Sequence, residues 1–410
     1  MMNSKKKIAI AICTGRKTGR SVIKMLAESI RTKGHHQKHD LYLIVSYDPA
    51  FQQLAKKDFM IGERAAEVFS EIIYSGPEDY KYFLKEFGNF IDQKGFDLLF
   101  KPRGYCTPKN KALIHALRKN ADFILFLDDD EYFTVPIAQP DGTLKWVPQD
   151  IVGKHIENLS RAEVTNGAHS GYFSPIPSDI VSKLDLGLRK RLGKVLGIGN
   201  EIISEKTFVN AKDFFRCGSV DFLNRQPYEI KEISGAEPLT AGNLGIRVDA
   251  IKSGKIPPYF NPIGARGEDV ILAIQIFERV KILRIPVYTF HDPFLKYLSI
   301  MQGTYPQKIE PIQLTSETID RFFRACIGWL SYAPLFTRMT SKSESEYKSK
   351  IDLMTTELSD MGKQIDRCLG WKGFRQLVSI LKKHDQKSKE ELEELDHAKK
   401  SWWQLVRYFK

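Results

Sequence analysis

Apolar residues first gather in a short β-branched run, Ile8–Cys13, which predicts a strand ending in the turn-like Thr14-Gly15-Arg16-Lys17-Thr18-Gly19. Val22, Ile23, Leu26 and Ile30 then recur at helical spacing. Leu41–Ser46 predicts a second strand, and Asp97–Phe100 opens a third. Ala112, Leu113, Ala116 and Leu117 mark a helix that Thr107-Pro108 would start as cap and first residue. The wholly apolar Phe123–Leu127 predicts a fourth strand. Strands alternating with helices predict a parallel sheet covered on both faces. From Tyr132 to Pro262 the runs are short and broken by proline and glycine, which predicts loops and antiparallel strands. Val270–Val280 reads as an amphipathic helix and Val287–Phe290 as another strand. Beyond Thr315, apolar residues from Ile319 to Leu330 keep helical spacing, and a polar linker, Thr340–Ser349, leads into a charged helical tail. The expectation is an α/β domain over 1–305 and a helical region over 306–410.

Composition changes this picture little. Of 410 residues, 42% are hydrophobic and 27% charged, as in a folded globular chain. The net charge of +12, from 62 Lys+Arg against 50 Asp+Glu, favours a polyanionic partner without choosing among nucleic acid, anionic membrane and phosphorylated ligand. Five scattered cysteines without C-x-x-C spacing argue against a disulfide framework or a zinc cluster and suit a reducing compartment. The first apolar run is too short for a signal segment and no later one reaches about 18 residues, so a cytoplasmic location is expected.

The chemistry concentrates where the fourth strand ends, at Asp128-Asp129-Asp130-Glu131. The carboxyl end of a strand in an open α/β sheet faces the ligand crevice. Like charges crowded there repel unless a cation joins them, and oxygen ligands suit Mg²⁺ or Mn²⁺. The plainer alternative is a solvated acidic turn. Gly264-Ala265-Arg266-Gly267-Glu268-Asp269 opens the predicted helix. Its acids can simply cap that helix, or one can act as a general base in a loop shaped around a ligand. His291 closes a strand, a place more often structural than ligating, although imidazole suits Mn²⁺.

These segments resemble, in order and spacing, the GT-A glycosyltransferases, most of all family 2 and its relatives, over residues 7–295. Lys101–Leu113 is similar to that family's glycine-then-basic-Asn-x-Ala-Leu segment, and Asp128–Asp130 to its D-x-D motif. Leu239–Arg247 resembles its Gly-Asn-x-x-Ile-Arg segment, Glu268-Asp269 its Glu-Asp pair, and His291 its late metal-ligating histidine. The resemblance implies a GT-A, Rossmann-like mixed sheet with a C-terminal helical region. It also implies transfer of a hexose or N-acetylhexosamine from a UDP-sugar to a hydroxyl, by inverting displacement. Asp130 and His291, with Asp128, would hold Mn²⁺ or Mg²⁺ against the donor diphosphate. Asp269 would be the base and Glu268 its support. Thr14, Arg16, Asp48, Arg103, Lys109, Asn110, Asp128, Asp129, Gly242 and Asn243 would bind the donor, with Asp48 near the nucleobase. The acceptor would be a saccharide or a lipid-linked glycan precursor of surface glycan biosynthesis.

Some segments depart from the family. The first strand ends in Cys13-Thr14-Gly15-Arg16 rather than Pro-x-Tyr-Asn, and no aromatic-rich segment follows Glu268-Asp269, which speaks against a processive polymerase. Gly187–Lys194 is basic and suits either a lid over a phosphate-bearing ligand or a solvated helix. Gly15–Ser21 imitates a P-loop with one residue too few and an arginine for the lysine. A sugar nucleotidyltransferase is the nearest alternative, and a nucleic-acid-binding protein the next, although dispersed cations argue against nucleic acid. In the tail, Phe374, Leu377, Val378 and Leu381 form one apolar stripe, and Trp402, Leu405, Val406 and Phe409 another. They suit core packing first, then a homo-oligomer contact or the inner face of a membrane.

Overall fold

A computed structural model describes residues 5–49, 52–102, 104–210, 214–231, 239–240 and 242–410. Its strands are β1 (Lys6–Thr14), β2 (His39–Tyr47), β3 (Glu71–Ser75), β4 (Phe123–Asp128), β5 (Glu131–Tyr132), β6 (Thr134–Ala138), β7 (Leu144–Pro148), β8 (Val164–Tyr172), β9 (Phe215–Arg216), β10 (Tyr228–Glu229), β11 (Asn243–Arg247) and β12 (Ile282–His291). One mixed sheet runs β10-β12-β8-β11-β4-β1-β2-β3, with β5 added to β12 and β9 to β8. Its β4-β1-β2-β3 half is parallel. β11 is antiparallel to both its neighbours, and β8 pairs parallel with β12. The expected α/β mixed sheet with C-terminal helices is what the chain forms.

The sheet is covered on both faces, and the two-residue period of a strand divides its apolar residues between two cores. Ile8, Ile10 and Ile12 face Val22, Ile23, Leu26 and Ile30 of helix Gly19–Lys33. Ala9 and Ala11 face the other way, into the core that holds Leu113, Ile114 and Leu117 of helix Cys106–Arg118. β4 divides likewise, Leu125 and Leu127 to the first core, Ile124 and Phe126 to the second.

Several expectations need correction. Asp97–Phe100 is the end of a helix, Gln93–Phe100, whose Asp92 cap accepts from the Gly95 amide at 2.6 Å. A short apolar run does not distinguish strand from helix, and here the burial of Phe96, Leu99 and Phe100 suits a helical face. The edge of the sheet is taken instead by β3. The strand expected at Val287–Phe290 begins at Ile282, and Pro286, which cannot donate to a ladder, sits where the register with β8 shifts. The helix expected at Val270–Val280 runs Glu268–Ile276.

The C-terminal region is three helices, Ser316–Thr340, Glu344–Leu369 and Leu377–Arg407. The expected linker shrinks to a corner, because Ser343 caps the second helix by accepting from the Glu346 amide. Both apolar stripes turn inward: Phe374, Leu377, Leu381, Trp402, Leu405 and Val406 are buried in the same core as the sheet. Trp402 Nε1 donates to the Ile256 carbonyl at 3.3 Å. Core packing therefore claims these residues. Among the described residues no helix is long and apolar enough to cross a membrane. Gly187–Lys194 lies in helix Leu186–Ile198, whose Leu188, Leu192 and Val195 are buried and whose Arg191 pairs with Glu357 and Asp360. It is a packed element of the helical layer.

Candidate active site

The carboxyl ends of β1, β2 and β4 open onto a cavity of about 400 Å³. Parallel pairing sets Cys13 beside Asp128, and the Asp48 amide donates to the Thr14 carbonyl at 2.9 Å, so three strand ends converge there. Loop and helix residues from the far half of the chain close it. Thr14, Arg16, Asp48, Lys109, Asp128, Asp129, Asp130, Glu268, Asp269 and His291 all line this cavity.

Each of the three consecutive aspartates meets a different environment. Asp129 accepts from Thr14 Oγ1 at 2.6 Å and from Arg16 Nη1 at 2.7 Å, which ties it to the β1 loop. Arg16 Nη1 also donates to Asp130 Oδ2 at 2.7 Å. Burial pushes Asp130 up, but Arg16, His291 and Arg266 outweigh it and hold the carboxyl well below its ordinary value. Asp128 has no such neighbour. Burial raises it to about 7, with Lys109 pulling the other way.

His291, at the end of β12, donates from Nδ1 to the Tyr172 carbonyl at 2.5 Å, which fixes the orientation of the ring. That Nε2 stands 3.8 Å from Asp130 Oδ2. A carboxylate and a correctly oriented imidazole fit a divalent cation that takes its other ligands from phosphate oxygens and water. They do not make a closed cage: among the described residues no group of three His, Cys, Asp or Glu side chains is set to hold a metal ion. Asp128 lines the same cavity as Asp130 and His291.

Across the cavity, Gly267 takes a left-handed φ of 87° and starts helix Glu268–Ile276, separating its two acids. Glu268 is buried with its Oε1 2.5 Å from Lys109 Nζ. Burial lowers the Lys109 ammonium, but Glu268, Asp128 and Asp269 carry it well above its ordinary value. Asp269 is half-buried, lines the cavity, and accepts from the Val270 amide at 3.0 Å. Burial, then Glu268, push it up to about 6, against Lys109. Behind it, Tyr332 donates to Glu201 Oε2 at 3.0 Å, and burial followed by the Asp269 charge raises Glu201 to about 8.

Three expected donor residues stand outside the lining. Asn110 is buried and clamps two chain segments, donating to the Leu99 and Tyr259 carbonyls and accepting from the Tyr259 amide at 2.8 Å. Asn243 is held by His155 and the Ala168 carbonyl. Gly242 lies against Glu131, whose Oε1 stands 2.0 Å from where a Cβ would be. These residues hold the scaffold together. Arg103 lies outside the described residues. Cys13, Tyr105 and Arg266 line the cavity without a role in the motif pattern. Of these, Cys13 is legible from strand register opposite Asp128, and burial raises its thiol to about 12. Glu201 comes from the Pro- and Gly-broken segment and has no local signal.

No protein-family model matches the chain, and a search of curated proteins finds no match. Among solved structures, S. aureus TarS 1-349 aligns at 10% identity over 94% of this chain and 91% of that chain, with a TM-score of 0.38. Its complex with UDP-GlcNAc aligns equally, at 0.38 over 94% and 92% with 10% identity. The mannosyltransferase PcManGT from Pyrobaculum calidifontis, in complex with GDP-Man and Mn²⁺, aligns at 10% identity over 94% and 88%, with a TM-score of 0.36. Likenesses at this level are too loose to carry fold or function.

Proposed function

We propose that this chain is a glycosyltransferase that moves a sugar from a nucleotide-sugar donor, a UDP-sugar foremost, to an acceptor hydroxyl. The observation that carries the reading is the division of the cavity. One wall presents Asp130 with His291, suited to a cation and a diphosphate, and the other presents Asp269 open to solvent while Lys109 neutralises its neighbour Glu268. An inverting displacement needs these two chemistries on opposite sides of the anomeric carbon.

In this mechanism Asp269, raised to about 6, is ionised at neutral pH yet basic enough to accept the acceptor's proton as its oxygen attacks. Glu268 and Lys109 fix the helix start that aims it. Asp128 and Asp48 face the donor nucleoside from β4 and β2. Arg16 holds Asp129 and Asp130 in place and brings positive charge to the leaving-group side. Asp130 and His291 would hold Mn²⁺ or Mg²⁺, which would stabilise the departing diphosphate as a Lewis acid. The acceptor would be a saccharide or a lipid-linked precursor.

Thermal denaturation with UDP, GDP, CDP or ADP, each with and without Mn²⁺, tests the reading in wild type and Asp130→Asn. A ligand at about 100 times its Kd adds about 2.7 kcal/mol to the native state. One nucleotide should stabilise the wild type with Mn²⁺, and Asp130→Asn should lose that gain. If no diphosphate stabilises the wild type under either condition, the donor-site assignment fails.

A further inference from the structure

A second cavity, of about 1010 Å³ beside about 400 Å³ for the active-site cavity, lies along the solvent face of helix Gly19–Lys33. Six cations line it against two acids, Glu28 and Glu63. Arg20, Lys24 and Arg31 recur at helical spacing, on the side of the helix turned away from the buried Val22, Ile23, Leu26 and Ile30. Glu28 is shared between Arg31 Nη1 at 2.8 Å and Arg64 Nη2 at 3.6 Å, and Arg31 also reaches Glu67 at 3.8 Å. Lys17, Arg20 and Lys24 are exposed and make no ion pair among the described residues. Much of the remaining lining is apolar: Ile300 is buried, Ile61 and Met301 are half-buried, and Tyr305 is exposed. The Tyr305 ring stacks on Trp146 with centroids 5.7 Å apart, and Trp146 Nε1 donates to the Pro306 carbonyl at 2.7 Å, which holds the loop that carries the tyrosine.

Cations gathered around a concavity focus their field there and raise the local concentration of anions. The charge of Arg16 is committed to Asp129 and Asp130, whereas Lys17, the next residue, already lines the second cavity. The unpaired cations therefore begin one residue beyond the active-site lining. The apolar groups lie within the cavity instead of projecting from it, so a bilayer, which takes up protruding apolar faces, does not reach them. Single-stranded nucleic acid stacks successive bases on aromatic platforms, but among the described lining residues only Tyr305 is an exposed aromatic, since Phe133 is buried. A saccharide chain with acidic groups meets both features. Its acidic groups pair with the lysines and the arginine, and the apolar face of a sugar ring packs on the tyrosine.

We propose that this groove binds an anionic saccharide chain, through Lys17, Arg20 and Lys24 for its acidic groups and Tyr305 for a sugar ring. The choice of a saccharide among polyanions rests on the glycosyltransferase reading above, and the test separates the two. Calorimetry at about 0.15 M salt measures the binding of polygalacturonate, dextran sulfate, neutral dextran, polyphosphate, a single-stranded DNA oligomer and phosphatidylglycerol vesicles to the full-length chain. The groove variant is Lys17→Gln/Arg20→Gln/Lys24→Gln. Lys382→Gln/Lys383→Gln/Lys387→Gln, at exposed positions on helix Leu377–Arg407, removes the same charge elsewhere. The wild type should bind both anionic glycans and not neutral dextran. The groove variant should bind them about 10- to 100-fold more weakly, and the control variant as the wild type does. Tyr305→Ala should weaken both glycans about 3- to 10-fold and leave polyphosphate unchanged. Equal losses in the two triple variants overturn the groove, because net charge alone then explains the binding. Tighter binding of DNA or vesicles than of either glycan, lost in the groove variant, overturns the saccharide assignment. Stabilisation by a nucleotide with Mn²⁺ but no glycan binding overturns the groove and leaves the transferase reading standing. Glycan binding at the groove without stabilisation by any nucleotide does the reverse.

Discussion

Lys109 and Glu268 form a buried ion pair that spans 159 residues of sequence, with side chains only 5% and 8% exposed and an Nζ to Oε1 distance of 2.5 Å. Lys109→Met keeps the chain length and removes the ammonium, leaving Glu268 buried with its main counter-charge gone. At an effective dielectric of about 20 the pair attraction at this separation is about 7 kcal/mol. Relief from desolvating the ammonium offsets part of that, so the net loss should fall near 3–5 kcal/mol, as for other buried pairs broken on one side. Urea unfolding followed by tryptophan fluorescence at neutral pH measures it. Lys109→Met/Glu268→Gln should recover most of the loss, because neither partner then carries a buried charge. A second consequence is chemical: Lys109 lowers both Asp128 and Asp269, so the single variant should need a higher pH for transfer. A loss below about 1 kcal/mol in the single variant, or a double variant as unstable as the single, would refute the argument that this pair holds the site together.

Asp269→Asn should reduce transfer about 100- to 10,000-fold while leaving UDP affinity intact, read from product formation and calorimetry. In the wild type the ionised fraction of Asp269 grows as pH rises through about 6, so kcat/KM should climb across that value and level off above it; a flat profile from pH 5 to 8 would speak against Asp269 as the base. Gly267→Ala combines a left-handed φ with a Cβ only 2.7 Å from the Tyr332 ring, whereas Gly264→Ala shares the φ sign but meets no atom within 4 Å. The first should lose about 2–5 kcal/mol in unfolding experiments and the second only the backbone part, about 1–3. Trp402→Ala should cost about 3–5 kcal/mol as a core truncation, and flotation with anionic vesicles should show no binding that depends on this residue.

What the sequence determined by itself is local. Ile8–Ile12 and Phe123–Leu127 are apolar at every position, as strands buried on both faces are, and acids placed directly after Leu127 then emerge at the carboxyl end of a central strand. Asp128–Asp130 are legible as a candidate site from that placement, and Glu268-Asp269 and His291 from their resemblance to motifs of the GT-A glycosyltransferases. Short apolar runs were not decisive: Asp97–Phe100 fits either period, and its helical state follows from an Asp92 cap and from Ser401 packing against Gly95. β8, with Asn166, Gly167 and His169 in its sequence, carries no apolar run to mark it as a strand, and Asn243 and Arg284 supply bonds to Asn166 that fit it into the sheet. Tertiary structure alone decided which acid is free and which is paired, because Lys109 reaches Glu268, and Arg16 reaches Asp129 and Asp130, only after distant segments meet. It also decided that Asn110, Gly242 and Asn243 hold the scaffold, and that Glu201 and Tyr332 approach the site from elements with no motif of their own. Hydrophobic period is written along the chain, but a buried charge acquires its role from whichever partner the fold brings within hydrogen-bond distance.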